Sequence, residues 1–224
     1  GADSWIRDVA PTVPLSLAHD GPQGGLDRQG CPLVYDLEIR AVDTMRFTPS
    51  DKLHSPTPLP TCDWHIWMAP ALARMHLDVL VVSWGVTAMW EYEMPDKSIS
   101  YIGEPAFDAV MLQHMRDFEA MAASYGTSVL WTTYNPKMPD VNPARWTFPQ
   151  TIDSLAAMLL DRECSADLRP LVRSEPNYPW YQDGYHFTAQ GAARAVAWIA
   201  PSITQCGVLR AADQRQSVNS QRGL

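Results

Sequence analysis

Asp78-Val79-Leu80-Val81-Val82-Ser83-Trp84-Gly85 is an uninterrupted Val-rich run ended by a glycine. A strand buried on both faces reads this way, because neither row of side chains meets water. The period then changes. Over residues 105–124, Val110, Met111, His114, Met115, Phe118, Met121 and Ala122 recur at helical spacing, Tyr125 continues the stripe, and Gly126 ends it. Ser128-Val129-Leu130-Trp131-Thr132-Thr133-Tyr134 is a second buried strand. Strand, helix and strand in this order argue for one α/β domain with a parallel sheet.

Working outward, residues 64–76 predict a helix interrupted at Pro70. Residues 33–61 hold no long periodic segment, and Pro49, Pro56, Pro58 and Pro60 punctuate their second half, so they read as an irregular surface excursion. Gly21, Gly24, Gly25 and Gly30 mark turns, with Gly30 where a backbone N–H can approach a ligand closely. Downstream, a loop carrying Trp90-Glu91 follows the first strand. Residues 150–162 predict an amphipathic helix and residues 169–173 a short strand. A last helix is expected over residues 189–200, N-capped by Thr188 and followed by Pro201. Residues 207–224 are polar without an apolar period and are expected to fray, leaving 1–206 as the single domain.

Composition narrows the function. With 46 % hydrophobic and 19 % charged residues among 224, the chain is globular with a sizeable core rather than disordered. A net charge of −8 argues against nucleic acid or an anionic membrane as the main partner. Nine Trp and eight Tyr are many for this length; most belong to core or pocket wall, and some can stack on sugar rings. No stretch of about 20 apolar residues is present, as a membrane-spanning helix requires.

The four cysteines, Cys31, Cys62, Cys164 and Cys206, form no Cys-x-x-Cys, which disfavours a zinc ribbon or a redox motif. Of three possible pairings the sequence-local one, Cys31–Cys62 with Cys164–Cys206, is favoured over the others and over four buried free thiols. Disulfides imply an oxidising compartment outside the cytosol. With no export signal visible at Gly1, the expectation is a piece of a longer exported or membrane-anchored chain.

The chemistry-bearing stretch is Trp180-Tyr181-Gln182-Asp183-Gly184-Tyr185-His186-Phe187-Thr188. An acid and an imidazole three apart on a Gly-containing turn can face one cleft. The carboxylate then orients the imidazole, which takes a proton from a hydroxyl. A loop histidine beside a capping aspartate is the bland alternative. His54, His65 and His76 recur every 11 residues, but the intervening prolines break any shared helix, so no metal site is expected from them. In parallel sheets ligands bind beyond the carboxyl ends of the strands, and Ser4, Gly30, Gly85 and His186 all lie in segments that can reach that edge.

In order along the chain, Gly1-Ala2-Asp3-Ser4, Gly30-Cys31-Pro32, Gly85 after the first strand, and Asp183-x-x-His186 entering the last helix resemble the four blocks of the SGNH (GDSL-type) hydrolase superfamily. The paired cysteines, the Gly-Cys-Pro segment and Trp90-Glu91 resemble one branch, the extracytoplasmic SGNH domains fused behind membrane-bound sugar O-acyltransferases. The resemblance implies a three-layer α/β/α fold with a mostly parallel central sheet, flavodoxin-like in arrangement. It implies Ser4 as nucleophile, His186 as base and Asp183 as its orienting acid. Backbone N–H groups of Ser4 and Gly30, helped by Thr87, would form the oxyanion hole. Trp84, Gly85 and Trp90 would line the substrate groove. No cofactor or metal is implied. The partners implied are an acyl donor, a carbohydrate acceptor and a fused or associated membrane acyltransferase domain, at a periplasmic or cell-surface location. Three features depart from the family: Ala2 interrupts Gly-Asp-Ser, Thr87 stands where the third block has Asn, and only three residues precede Ser4 where the family has a strand. A binding module with a decayed site is therefore the competing expectation.

Overall fold

The computed structural model describes residues 40–42, 63–83, 91–133, 148–182 and 187–222. In chain order these form β1 (Arg40–Val42), α1 (Trp64–Met75), β2 (Val79–Ser83), β3 (Glu91–Glu93), β4 (Ile99–Ser100), α2 (Pro105–Ser124), β5 (Ser128–Thr132), α3 (Phe148–Leu160), β6 (Ser165–Ala166), α4 (Arg169–Ser174) and α5 (Ala189–Arg222).

The α/β expectation holds. β2, β5 and β6 form a three-stranded sheet with β5 in the middle, and both pairings are parallel. The register runs from Val79 opposite Ser128 to Ser83 opposite Thr132, and Thr132 opposes Ala166 on the other side. Parallel neighbours need a crossover; α2 provides one and α3 the next. α2 forms because Phe107, Met111, Met115, Phe118 and Ala122 fall on one buried face. Pro105 opens it, where a missing N–H costs nothing. Its end is a Schellman motif: Thr127 N donates to Ala122 O at 3.0 Å, Gly126 N to Ala123 O at 2.8 Å, and Gly126 takes φ 73°.

Successive residues of a strand face opposite sides, and β5 divides the core accordingly. Val129 and Trp131 join a cluster with Trp64, Met68 and Leu72 of α1, the buried face of α2, and Ile152, Leu155 and Leu159 of α3. Leu130 faces the other way, with Leu171 and Val172 of α4 and Ala195, Ile199 and Cys206 of α5. Helices thus cover both sides of β5. The buried Trp131 satisfies its indole N–H by donating to Glu119 of α2 at 2.7 Å. Arg162 Nε donates to the same carboxylate at 2.9 Å, so one ionic group ties α2, β5 and the turn after α3.

The favoured disulfide Cys164–Cys206 is present, with a Cα–Cα distance of 5.7 Å. It joins the residue before β6 to the middle of α5. Cys31 and Cys62 lie outside the described residues.

Five expectations need correction. α1 is not interrupted at Pro70, and α5 does not stop before Pro201 but continues to Arg222, so the tail expected from residue 207 is helical to that point. In both helices the proline and the residue four before it (Ile66, Ala197) are exposed, so water can hydrate the carbonyl that the proline leaves without a donor. Residues 169–173 are helical, not extended: Pro170 sits in the first turn, where its fixed φ favours a helix, and Leu171 and Val172 are buried side by side. β2 is less buried than its composition suggests. It lies at an edge of the described sheet, and Val81 is 38 % exposed. Finally, Glu91 begins a strand instead of a loop: β1, β3 and β4 form a second, antiparallel sheet, to which Arg40–Val42 of the supposed irregular excursion contributes. Tyr92 on β3 is fully buried and stacks on Phe107 of α2 with ring centroids 4.7 Å apart. No described helix is long and apolar enough to cross a membrane.

Candidate functional site

The site expected from sequence falls on segments outside the described residues: Ser4, Gly30, Trp84, Gly85, Thr87, Trp90, Asp183 and His186. What the structure describes is the frame around two of these segments. β2 ends at Ser83, so the 84–90 segment departs from the carboxyl edge of the parallel sheet. The 182–186 connection is held at both ends by an antiparallel bridge between Tyr181 and Phe187.

Contacts along α5 show on which side of the sheet that bridge lies. Near its middle, the Cys206 carbonyl accepts from Ser128 Oγ at the amino end of β5, and Gly207 lies beside Val79 at the amino end of β2. A little over two turns nearer the start of α5, Trp198 Nε1 donates to the carbonyl of Asp167, just past the end of β6, at 2.8 Å. The helix therefore runs antiparallel to the strands. Its first residues lie toward the carboxyl edge. Tyr181 gives an independent bearing. It packs against both core clusters, which lie on opposite faces of β5, as a residue placed over the end of the sheet does. The end of β2 at Ser83 and the Tyr181–Phe187 bridge thus lie toward one rim of the sheet.

The stem beneath the 182–186 connection is tightly specified. Thr188 caps α5: its Oγ1 accepts from Gly191 N at 2.9 Å, as the sequence predicts, and donates to Pro179 O. Thr188 N donates to Trp180 O at 2.9 Å. The Trp180 ring is buried and its Nε1 donates to Glu175 O at 3.0 Å. Gly191 is required here for close approach: a Cβ at this position would collide with the Trp180 carbonyl oxygen and stand 3.0 Å from its carbon and Cα. Across the stem, the rings of Tyr181 and Phe187 stack with centroids 4.8 Å apart. Burial pushes the Tyr181 phenol well above its ordinary range, so it stays protonated.

A polar cluster that sequence reading passed over lies at the same edge. Asp167, directly after β6, accepts from Arg169 Nε at 2.9 Å and from the buried Thr133 Oγ1 at 2.8 Å. Leu168 N in turn donates to Thr133 Oγ1 at 2.8 Å. Burial works to raise the Asp167 pKa, but the hydrogen bonds from Arg169 and Thr133 outweigh it and hold the carboxyl below the usual carboxylate range. Arg169 also pairs with Asp153 of α3, at 2.8 Å. Arg169 and the two acids are mutually engaged, so the cluster braces the rim between β5, β6 and α3. At the start of α2, Asp108 accepts from Gly103 N at 2.7 Å. Burial, with the Glu104 charge beside it, raises its carboxyl pKa above the ordinary value despite that bond.

Two of the evenly spaced histidines have helix-end roles. His65 Nδ1 lies 2.8 Å from the N-cap carboxylate of Asp63, and His76 adopts φ 50° as the left-handed cap of α1. His114 lies edge-on to Trp64 at 6.5 Å. Among the described residues no group of three or more His, Cys, Asp or Glu side chains is placed to hold a metal ion. No family model matches this chain, and neither does any curated protein or solved structure.

Proposed function

We propose that this chain is an SGNH-type, serine-dependent O-acyl transferase or esterase acting on an extracytoplasmic glycan or glycolipid. In this reading the parallel sheet is the centre of a three-layer α/β/α domain. The observation that supports it is the Tyr181–Phe187 bridge, which flanks Asp183-x-x-His186 in the chain and lies toward the carboxyl end of the parallel sheet, where β2 also ends. The disulfide adds support for an oxidising location.

The chemistry follows from the weakness of a serine hydroxyl as a nucleophile. Ser4 Oγ attacks the ester carbonyl as His186 removes its proton. Asp183 fixes the imidazole tautomer and stabilises the imidazolium. Backbone N–H groups of Ser4 and Gly30, with the Thr87 hydroxyl, receive the developing oxyanion. As the tetrahedral species collapses, the ester C–O bond breaks and His186 returns the proton to the leaving alkoxide. Water or a sugar hydroxyl then attacks the acyl-serine by the same route. The product is a free acid in the first case and a new ester in the second. Trp84, Gly85 and Trp90 line the acceptor side. An acyl donor, a carbohydrate and a fused or associated membrane acyltransferase domain are the expected partners.

Ala2 and Thr87, which replace a glycine and an oxyanion-hole asparagine of the family pattern, favour a second reading. In it, the domain binds a glycan or partner protein without turnover. Hydrolysis of a small aryl acetate, with fluorophosphonate labelling, separates the two. The enzyme reading expects labelling that disappears in Ser4→Ala and His186→Ala. An unlabelled protein that binds glycan with the same affinity in His186→Ala would leave only the second reading.

A further inference from the structure

We infer that Trp198 of α5 is a carbohydrate-stacking platform that takes a neutral pyranose ring, whether or not the domain cleaves or transfers an ester. Tryptophan is seldom left open on a folded surface, because its large ring rewards burial. Trp198 nevertheless stays 47 % exposed, while Trp64, Trp131 and Trp180 are buried to 2 % or less. It is the one aromatic residue in the 34 residues of α5. The exposure does not come from a loose side chain. Nε1 donates to the Asp167 carbonyl at 2.8 Å, and Asp167 is itself fixed by Arg169 and Thr133. The indole is thus held along one edge with much of its surface open. A ring fixed in advance loses little conformational freedom when a ligand stacks on it. Asp167 follows directly on β6, so the platform lies toward the carboxyl edge of the sheet, where parallel sheets take their ligands.

The surroundings select the ligand. The exposed face of α5 around Trp198 carries Gln190, Arg194, Ala197, Pro201 and Gln205, at spacings of three and four that keep them on one side of the helix. This is a single aromatic ring in a largely polar stripe. A protein partner buries a continuous apolar centre instead. The stripe offers no spare charge to an ionic ligand either. Arg194 is paired with Glu175, and Arg169, beside the indole's anchor, is paired with Asp167 and Asp153. An anion or a cation would have to break these pairs. A neutral sugar would not. Its hydroxyls exchange hydrogen bonds with the amide and guanidinium groups, and the C–H face of its ring covers the indole.

The test is oxidation of the folded protein by N-bromosuccinimide, which attacks accessible indoles, with each tryptophan mapped by mass spectrometry. The probes are three neutral tetrasaccharides: cellotetraose, maltotetraose and the N-acetylglucosamine tetramer. Trp198 is expected to react while Trp64, Trp131 and Trp180 resist. At least one probe should slow Trp198 oxidation about twofold at a concentration equal to its Kd, where half the sites are filled. Saturation-transfer NMR should show the ring C–H protons of that sugar in contact. Trp198→Ala should weaken its binding about tenfold, the upper end of what one aromatic stack contributes. Trp198→Phe, which keeps a ring face and gives up the N–H anchor, should lose less. The oxidation measurement needs no variant, so it decides the matter even where Trp198→Ala does not fold. No protection by any of the three sugars would overturn the inference, as would binding unchanged in Trp198→Ala. Trp198 reactivity that falls with protein concentration in the absence of sugar would also overturn it, by showing a second copy over the ring. Stronger protection by tetragalacturonate, an anionic tetrasaccharide, would overturn the assignment to a neutral ligand.

Discussion

Removing the Cys164–Cys206 bridge tests the packing of the last helix quantitatively. The bridge closes a loop of 42 residues, which contains β6, α4, the aromatic stem and the first half of α5. In the chain-entropy model the lost loop-closure entropy is about 13 cal/mol/K for a loop this long, or about 4 kcal/mol at 25 °C. The Cα–Cα distance of 5.7 Å lies at the most common value for disulfides. Cys206 is buried in the cluster with Leu130 and Ile199, so alanine is the right replacement; serine would add a hydroxyl to an apolar site. Cys164→Ala/Cys206→Ala is therefore expected to lose about 4 kcal/mol, or roughly 8–16 °C in midpoint for a domain of this size. Urea unfolding followed by far-UV circular dichroism and tryptophan fluorescence measures it. The urea dependence should steepen as well, because an unlinked unfolded chain exposes more surface. A loss below about 1 kcal/mol with an unchanged slope would refute the loop reasoning. So would a non-reducing peptide map that joins Cys164 to Cys31 or Cys62.

Other expectations concern single positions. His76→Gly should stabilise the protein by about 1 kcal/mol, because His76 is an exposed cap held at φ 50°, where glycine pays no Cβ penalty; thermal unfolding reads the gain. Gly191→Ala should cost about 2 kcal/mol or more, since the added carbon meets backbone that packing holds in place; a midpoint unchanged from the parent would show that the stem can yield. Asp167→Asn should destabilise by about 2 kcal/mol at neutral pH, as charge-assisted bonds to Arg169 and Thr133 weaken. The sign of its pH dependence follows from its lowered folded pKa. Its contribution is complete above the unfolded value near pH ~4 and is lost as the pH falls through the depressed value, so the variant should lose less stability than the parent across that acid range. Asp108 carries the opposite sign. Its raised pKa favours the fold below pH ~4, and that contribution disappears as the pH climbs through the raised value. Asp108→Asn, which keeps an acceptor for Gly103 N, should therefore gain stability at neutral pH, measured as urea midpoints across the pH series.

Much of the scaffold was legible because its signals are local. α2 announces itself through an apolar stripe at helical spacing and a glycine placed for left-handed φ. Thr188 is readable as an N-cap because a hydroxyl just before a helix satisfies one of its free N–H groups. The Cys164–Cys206 bridge follows from the proximity of its partners in the chain. Of the candidate site, sequence supplies the residue types and their order. For Asp183-x-x-His186 it also supplies the turn-then-helix setting whose frame the structure describes.

Other features depend on what lies across space, and no local pattern encodes that. Pro70 and Pro201 read as breaks, yet both sit on solvent faces where water replaces the missing bond. The segment 169–173 has strand-like composition, and only burial of Leu171 and Val172 against α5 and Leu130 makes it a helix. The second sheet pairs Arg40–Val42 with residues about 50 positions away, a register that chain order cannot specify. Tyr181 looks like one more aromatic in a loop until the fold sets it across two cores. Short-range periodicity and capping fix the elements, because their hydrogen bonds close within a few residues. Which faces water abandons is decided by the whole assembly, because burial is a property of neighbours and not of sequence position.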